Sequence, residues 1–202
     1  LDRSLNWVWA DVQFTDVDDV EQTDEGILVP EEMSTIVVAA VEQPFQQGKT
    51  NIRTFAPRPN SMGYARAYWA APALAAFIRG LGYRALPSVS GLTNNVPMAV
   101  DAGIAEPGRH GRAVHPVFGG NYRPIVKVMT DMPLETDQFI DFGLQEFCRG
   151  CKLCAEECPS NTIPYGDKTW KWEGAVPKTW TQVSDMPFDG SKNEGVYKWY
   201  ME

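Results

Sequence analysis

Cys148-Arg149-Gly150-Cys151-Lys152-Leu153-Cys154-Ala155-Glu156-Glu157-Cys158-Pro159 decides how this chain is read. It holds all 4 cysteines of the sequence. A disulfide framework would spread cysteines along the chain to staple distant loops, so clustering points to a metal site. Three cysteines at intervals of three, then a fourth followed by proline, is the bacterial ferredoxin spacing. The first three thiolates wrap one corner of a four-iron cubane. The fourth points away, and in two-cluster proteins it ligates the other cluster. Zinc sites instead bring two Cys-x-x-Cys pairs separated by a longer loop. Cys148, Cys151, Cys154 and Cys158 are therefore expected to bind a four-iron cluster, which carries one electron and by itself transforms no substrate. The long stretch before Cys148 exceeds what a simple ferredoxin needs and is expected to hold the electron's destination.

The 202 residues are 44% hydrophobic, enough for a real core and for one average domain plus an appendage. A net charge of −8 argues against nucleic acid as a partner and against a polybasic membrane anchor. No apolar run is long enough to span a bilayer as a helix; the longest, Ile36 to Val41, has the length of a buried strand. Leu1 stands where a start methionine would, and Lys198 to Glu202 read like the middle of an element. A piece of a longer protein is expected.

Outward from the cysteines, residues 124–130 and 112–117 read as strands separated by a Gly119-Gly120 turn. Residues 96–105 read as a helix stopped by Pro107 and Gly108, and 84–89 as a short strand. Residues 61–79, rich in Ala, Leu and aromatics, read as a helix with Gly80 and Gly82 at its end. Pro72 either kinks it or starts its second half. Residues 44–60 read as a loop, 34–41 as a core strand and the acidic segment 1–26 as solvated surface. Residues 166–202 are loop-rich and carry Trp170, Trp172, Trp180 and Trp199, which suit either an apolar substrate pocket or a cover over the cluster. Strands alternating with helices predict an α/β or α+β body.

Gly111-Arg112-Ala113-Val114-His115-Pro116, then Phe118-Gly119 and Arg123, leads into Lys127-Val128-Met129-Thr130-Asp131-Met132-Pro133-Leu134 and on to the cysteines. With residues 74–85 and 103–111, this order resembles the cobalamin-dependent reductive dehalogenases and, more distantly, epoxyqueuosine reductase. The likeness covers residues 28–202. It implies a nitroreductase-like corrinoid-binding domain over 1–136 and a ferredoxin-like module over 137–202, with two four-iron clusters in the full-length protein. The second, shorter cysteine motif of the family does not occur here, which leaves Cys158 as the only candidate ligand for the second cluster.

Reductive dehalogenation needs electrons, a proton donor and orientation around reduced cobalt. By the same resemblance, Tyr68 is the proton-donor candidate, with Tyr64 one helical turn away as the alternative. Arg123 is the candidate cation beside it, since a nearby cation lowers a phenol's pKa. Asn94, in the polar loop Ser90 to Asn95, is a candidate for binding substrate or corrinoid. Arg109, His110 and Gly111 are candidate corrinoid contacts. His110 and His115 read as structural or amide-contacting rather than as cobalt ligands. Gly108, Gly111, Gly119 and Gly120 could admit a bulky cofactor. The implied partners are a small organohalide, an electron donor and a small membrane-anchor subunit on the outer face of the cytoplasmic membrane. Two alternatives stand: an epoxyqueuosine-reductase-like enzyme, and a non-catalytic electron-transfer subunit with a docking domain.

Overall fold

The computed structural model describes residues 11–24, 26–48, 57–157, 163, 165 and 166. Cys158 and the four tryptophans after it lie outside the described residues. Two compact units are present. One takes in the described residues up to Ala105 together with His115–Ile140; the other takes in Glu106–Val114 and the described residues from Asp141 onward.

The first unit is built on strand β8 (Tyr122–Thr130). It is antiparallel to both β4 (Thr35–Glu42) and β5 (Ala85–Ser88), giving the order β4-β8-β5. A centre strand needs residues that tolerate burial on both faces, and Tyr-Arg-Pro-Ile-Val-Lys-Val-Met-Thr is buried along almost its whole length. A bulge between Ala39 and Val41 breaks the β4 register. Beyond β4 in the chain comes α1 (Phe45–Gly48).

Helix α2 (Pro57–Gly80) covers this sheet. Its buried side is made mostly of Ala67, Ala71, Ala75 and Ile78, spaced three or four residues apart. The small alanines allow close approach. Ala67 and Ala71 pack with Ile125 and Val126, while Ala75 and Ile78 pack with Ala85 and Val128. The helix runs without a break through Pro72. Proline has no N–H, so the Tyr68 carbonyl lacks the helical donor four residues on. At the C-terminus the Gly82 N–H donates to the Arg79 carbonyl and the Tyr83 N–H to that of Ile78. Gly82 has φ +96°, the left-handed turn that ends helices and that glycine adopts without strain.

Met129 packs with Val29 and Met33 instead. These belong to or follow β3 (Gly26–Pro30), the middle of a second small sheet. Its order is β1 (Asp11–Thr15), β3, β2 (Glu21–Gln22). The acidic segment is thus more than a solvated surface: from Asp11 it supplies two strands, and both residues of β2 are exposed. Thr130-Asp131-Met132 forms a clasp at the end of β8. Thr130 Oγ1 donates to the Arg84 carbonyl, and Asp131 accepts from the Arg84 backbone N–H and from its Nε, both at 2.8 Å. Burial works against the Asp131 charge, but the Arg84 hydrogen bonds win and hold its carboxyl below the usual range.

Helix α3 (Asn95–Asp101) is shorter than expected, because Gly103 turns back with φ +64°. The stretch 112–117 is not a partner of β8. Only Ala113–Val114 (β7) is extended, and it pairs with β6 (Glu106–Pro107). His115 and Gly119 close their own small loop.

In the second unit the β6–β7 hairpin holds α4 (Leu144–Cys151). Glu106, 4% exposed, accepts the backbone N–H groups of Phe142 and Gln145, so a carboxylate sits at the helix N-terminus. Lys152, with φ +44°, breaks the helix, and α5 (Leu153–Glu156) follows at once.

Ile125 is 2% exposed beneath α2. Ile125→Ala should lower the unfolding free energy by about 2–5 kcal/mol. Trp69, 82% exposed, should tolerate Trp69→Ala within about 0.5 kcal/mol. Chemical denaturation of both variants checks this, and equal losses would mean that α2 packs through its other face.

Candidate functional site

Two groups of chemically competent residues stand out, one in each unit. In the first unit, Tyr64 and Tyr68 lie on one side of α2 with ring centroids 6.4 Å apart. Tyr64 is half-buried against Ile125 and Val126, and its hydroxyl meets Ser90 Oγ at 3.0 Å. Tyr68 is 48% exposed. Tyr64 is thus tied to the polar loop 90–95, while Tyr68 presents its ring to solvent.

Arg123 meets the same helix at Asn60. Its Nε donates to Asn60 Oδ1 at 2.8 Å, and Asn60 is also approached by Gln43 Nε2 at 3.5 Å. Gly63 is fitted between these groups: a Cβ there would lie 3.0 Å from Gln43 Nε2 and 3.3 Å from Arg123 Cγ.

Lys127 is the residue that the sequence reading passed over. It sits in the middle of β8, 1% exposed. Its Nζ donates to the Thr93 carbonyl at 2.8 Å and reaches toward that of Gly91 at 3.4 Å. Burial pulls its pKa down to about 8. A lone charge inside Ile125-Val126-Lys127-Val128-Met129 was the available signal. Thr93 Oγ1 and Asn95 Oδ1, in the same loop, are buried without a hydrogen-bond partner among the described residues. Asn94 between them is exposed at the start of α3, and its side chain makes no capping bond. The loop therefore gathers a buried cation and two buried polar atoms left unsatisfied by the described residues.

His110 and His115 use Nδ1 within their own turns. His110 accepts from the Arg112 N–H; His115 accepts from those of Val117 and Phe118 and stacks on the Phe118 ring at 4.6 Å. Burial lowers both pKa values, with the Arg112 charge adding to the effect at His110. Gly108 serves its own neighbour, since a Cβ there would meet His110 Cε1 at 2.9 Å. Gly111 is exposed with φ +73° and open space around it.

In the second unit, Cys148 and Cys151 are carried by α4 and Cys154 by α5 beyond the Lys152 turn. Burial raises the Cys154 pKa; Cys148 and Cys151 raise it further, and the Arg109 charge opposes them. Arg109 is 2% exposed. Its Nε and one terminal nitrogen donate to the Cys148 carbonyl at 3.1 and 3.0 Å, and the other donates to Gly166 at 2.8 Å. Among the described residues no three Cys, His, Asp or Glu side chains gather around one metal ion. A cubane takes each thiolate on a different iron, so three thiols spread over a helix–turn–helix beside a fixed cation suit that donor set.

A tetrachloroethene reductive dehalogenase of Sulfurospirillum multivorans is 37% identical over 160 residues, 79% of this chain and 32% of its own length. One from Desulfitobacterium hafniense is 36% identical over 168 residues, 83% of this chain and 28% of its own. This chain is homologous to reductive dehalogenases. A match of 160 residues in 202 takes in the cysteine run wherever it begins. The solved catabolic reductive dehalogenase NpRdhA superposes with a TM-score of 0.62 at 30% identity, covering 65% of this chain and 20% of its own. A solved reductive dehalogenase of equal similarity is described as suggesting a mechanism for B12-dependent dehalogenation. No family model matches. The chain spans about a third of the length of these curated relatives.

Lys127 sets a pH test. Its folded pKa of about 8 lies below the ordinary 10.5, so between those values the unfolded chain binds more protons than the folded one. Its contribution to stability therefore rises with pH across that window. The difference in unfolding free energy between wild type and Lys127→Met should shift toward the wild type from pH 8 to pH 10.5. A flat difference would mean that the amine is solvated.

Proposed function

We propose that this chain is part of a reductive dehalogenase that removes halide from a small organohalide, with a corrinoid and four-iron clusters as cofactors. The observation that carries the reading is 36–37% identity to tetrachloroethene reductive dehalogenases across a stretch holding the ferredoxin-type cysteine run. On this reading the sheet under α2 belongs to a nitroreductase-like corrinoid-binding domain, and α4 and α5 belong to a ferredoxin-like module. The electron donor, the membrane-anchor subunit and the outer-face location belong to the same proposal and rest on the resemblance.

The bound corrinoid would supply cobalt-centred reduction of the carbon–halogen bond, and the clusters would supply electrons singly. The buried Thr93 Oγ1 and Asn95 Oδ1 offer hydrogen-bonding capacity that the described residues leave unused, which fits a polar ligand edge at this loop. Asn94, exposed at the same place, orients substrate or corrinoid. His110 and Gly111 form the second candidate contact for the corrinoid, through the exposed turn at Gly111, whereas the Arg109 expected beside them is buried against the Cys148 and Gly166 carbonyls.

Tyr68 donates the proton from its phenol oxygen. An ordinary tyrosine has a pKa of about 10, so its phenolate needs a cation nearby to form near neutrality. Arg123 was the expected cation, but its Nε is occupied by Asn60. Lys127 directs a desolvated charge at the loop to which Tyr64 is also bonded, and it shares the electrostatic role. Tyr64 braces the ring of Tyr68.

In the full-length, cofactor-loaded protein, Tyr68→Phe should cut turnover by roughly two to four orders of magnitude with iron and corrinoid content unchanged. If Tyr64→Phe does this instead, the donor lies one turn earlier. Lys127→Met and Arg123→Ala, compared side by side, decide which cation serves. Replacing Cys148, Cys151 or Cys154 by Ser should remove or strongly perturb one four-iron cluster. Iron analysis and low-temperature EPR check this, and unchanged signals in all three would defeat it. A wild-type protein without corrinoid would turn the reading toward a plain electron carrier.

A further inference from the structure

Arg109 is one of the three residues, with His110 and Gly111, expected to contact a corrinoid, yet its side chain is spent elsewhere. It is 2% exposed, and its guanidinium holds two carbonyls in the cysteine unit. The Cys148 carbonyl belongs to the last four of α4, a group that a helix cannot satisfy fully from within. The planar fork meets it with two parallel N–H donors at 3.1 and 3.0 Å and ties Gly166 with a third at 2.8 Å. Glu106, three residues earlier, sits at the opposite end of the same helix. One hairpin thus places an acid at the start of α4 and a base near its end, each matching the helix dipole. The base is the one that touches a cysteine residue.

We propose that Arg109 is a positioning residue for the iron–sulfur cluster, an inference that rests on the function proposed above. It has two effects. The fork fixes the backbone of Cys148 just before the left-handed Lys152 turn, and so sets the placement of Cys151 and Cys154 relative to Cys148. The fixed charge favours the reduced, more negative form of a thiolate-ligated cluster and raises its reduction potential, which charge and hydrogen bonding near the sulfurs control. Lysine would keep the charge and lose the fork; glutamine would keep a donor and lose the charge.

The test uses the full-length, iron-loaded protein and follows each cluster's EPR signal in a potentiometric titration with dithionite. Arg109→Gln should shift the midpoint potential of one cluster to lower values and alter its g-values. Arg109→Lys should bring the potential back toward wild type while the altered spectrum persists. Glu106→Gln, at the far end of the helix, should leave the potential unchanged. Loss of iron from both Arg109 variants at unchanged circular dichroism and thermal midpoint also supports positioning. Full iron content with wild-type potential and spectrum in both overturns the inference. So do equal shifts in Glu106→Gln and Arg109→Gln, or unfolding of both Arg109 variants, since each assigns Arg109 to folding alone. A wild-type protein that binds no iron overturns the functional reading itself. A loaded wild type that is insensitive to Arg109 overturns only this inference.

Discussion

The first unit depends on burying β8 between two partner strands. A strand buried this deeply must be hydrogen bonded on both edges, because an unpaired peptide group away from water costs as much as a lost hydrogen bond. β4 pairs with one edge from Tyr122 to Thr130 and β5 with the other from Lys127 to Thr130, and α2 lays its alanines over Val126 and Val128. The clasp at Arg84 and Asp131 then closes the end of the sheet. Once β8 is fixed, so is everything attached to it. Lys127 cannot leave the interior, and its amine must find the carbonyls of the loop between β5 and α3.

That constraint turns a structural strand into a chemical one. A lysine held in this way keeps its charge near neutrality at a real electrostatic cost, a pattern common where a protein needs a fixed cation. The loop it anchors also carries Asn94, Thr93 and Asn95, and takes a hydrogen bond from or gives one to Tyr64. The proposed acid chemistry on Tyr68 thus sits on a rigid helix beside a loop stiffened from below. Rigid support of this kind is what a proton donor needs to hold its geometry.

The second unit solves a different problem with the same economy of parts. The run carrying Cys148, Cys151 and Cys154 changes direction between Cys151 and Cys154, where its helix stops at Lys152. Stopping a helix leaves carbonyls exposed at one end and N–H groups at the other. Glu106 answers the N–H groups and Arg109 answers the Cys148 carbonyl, both from one hairpin that is remote in sequence. The cysteine run is therefore held by a segment about forty residues upstream, at the separation expected for long-range packing rather than for a local motif.

The cysteine spacing, read alone, raised the expectation of an iron–sulfur site, because ligand geometry is encoded in short intervals along the chain. The strand at 34–41, the helix at 61–79 and the glycine stop after it were legible for a similar reason: periodicity and capping are local. The strand expected over 112–117 is extended only at Ala113–Val114 and pairs with β6, and the acidic start hides strands whose exposed faces read as surface. Lys127 and Arg109 looked like ordinary charges in the sequence. Their burial and their partners come from segments 34 and 39 residues away. Local spacing thus singled out the candidate ligands, whereas only tertiary packing decided which charges are buried, because desolvation is a property of what folds over a residue and not of its neighbours in the chain.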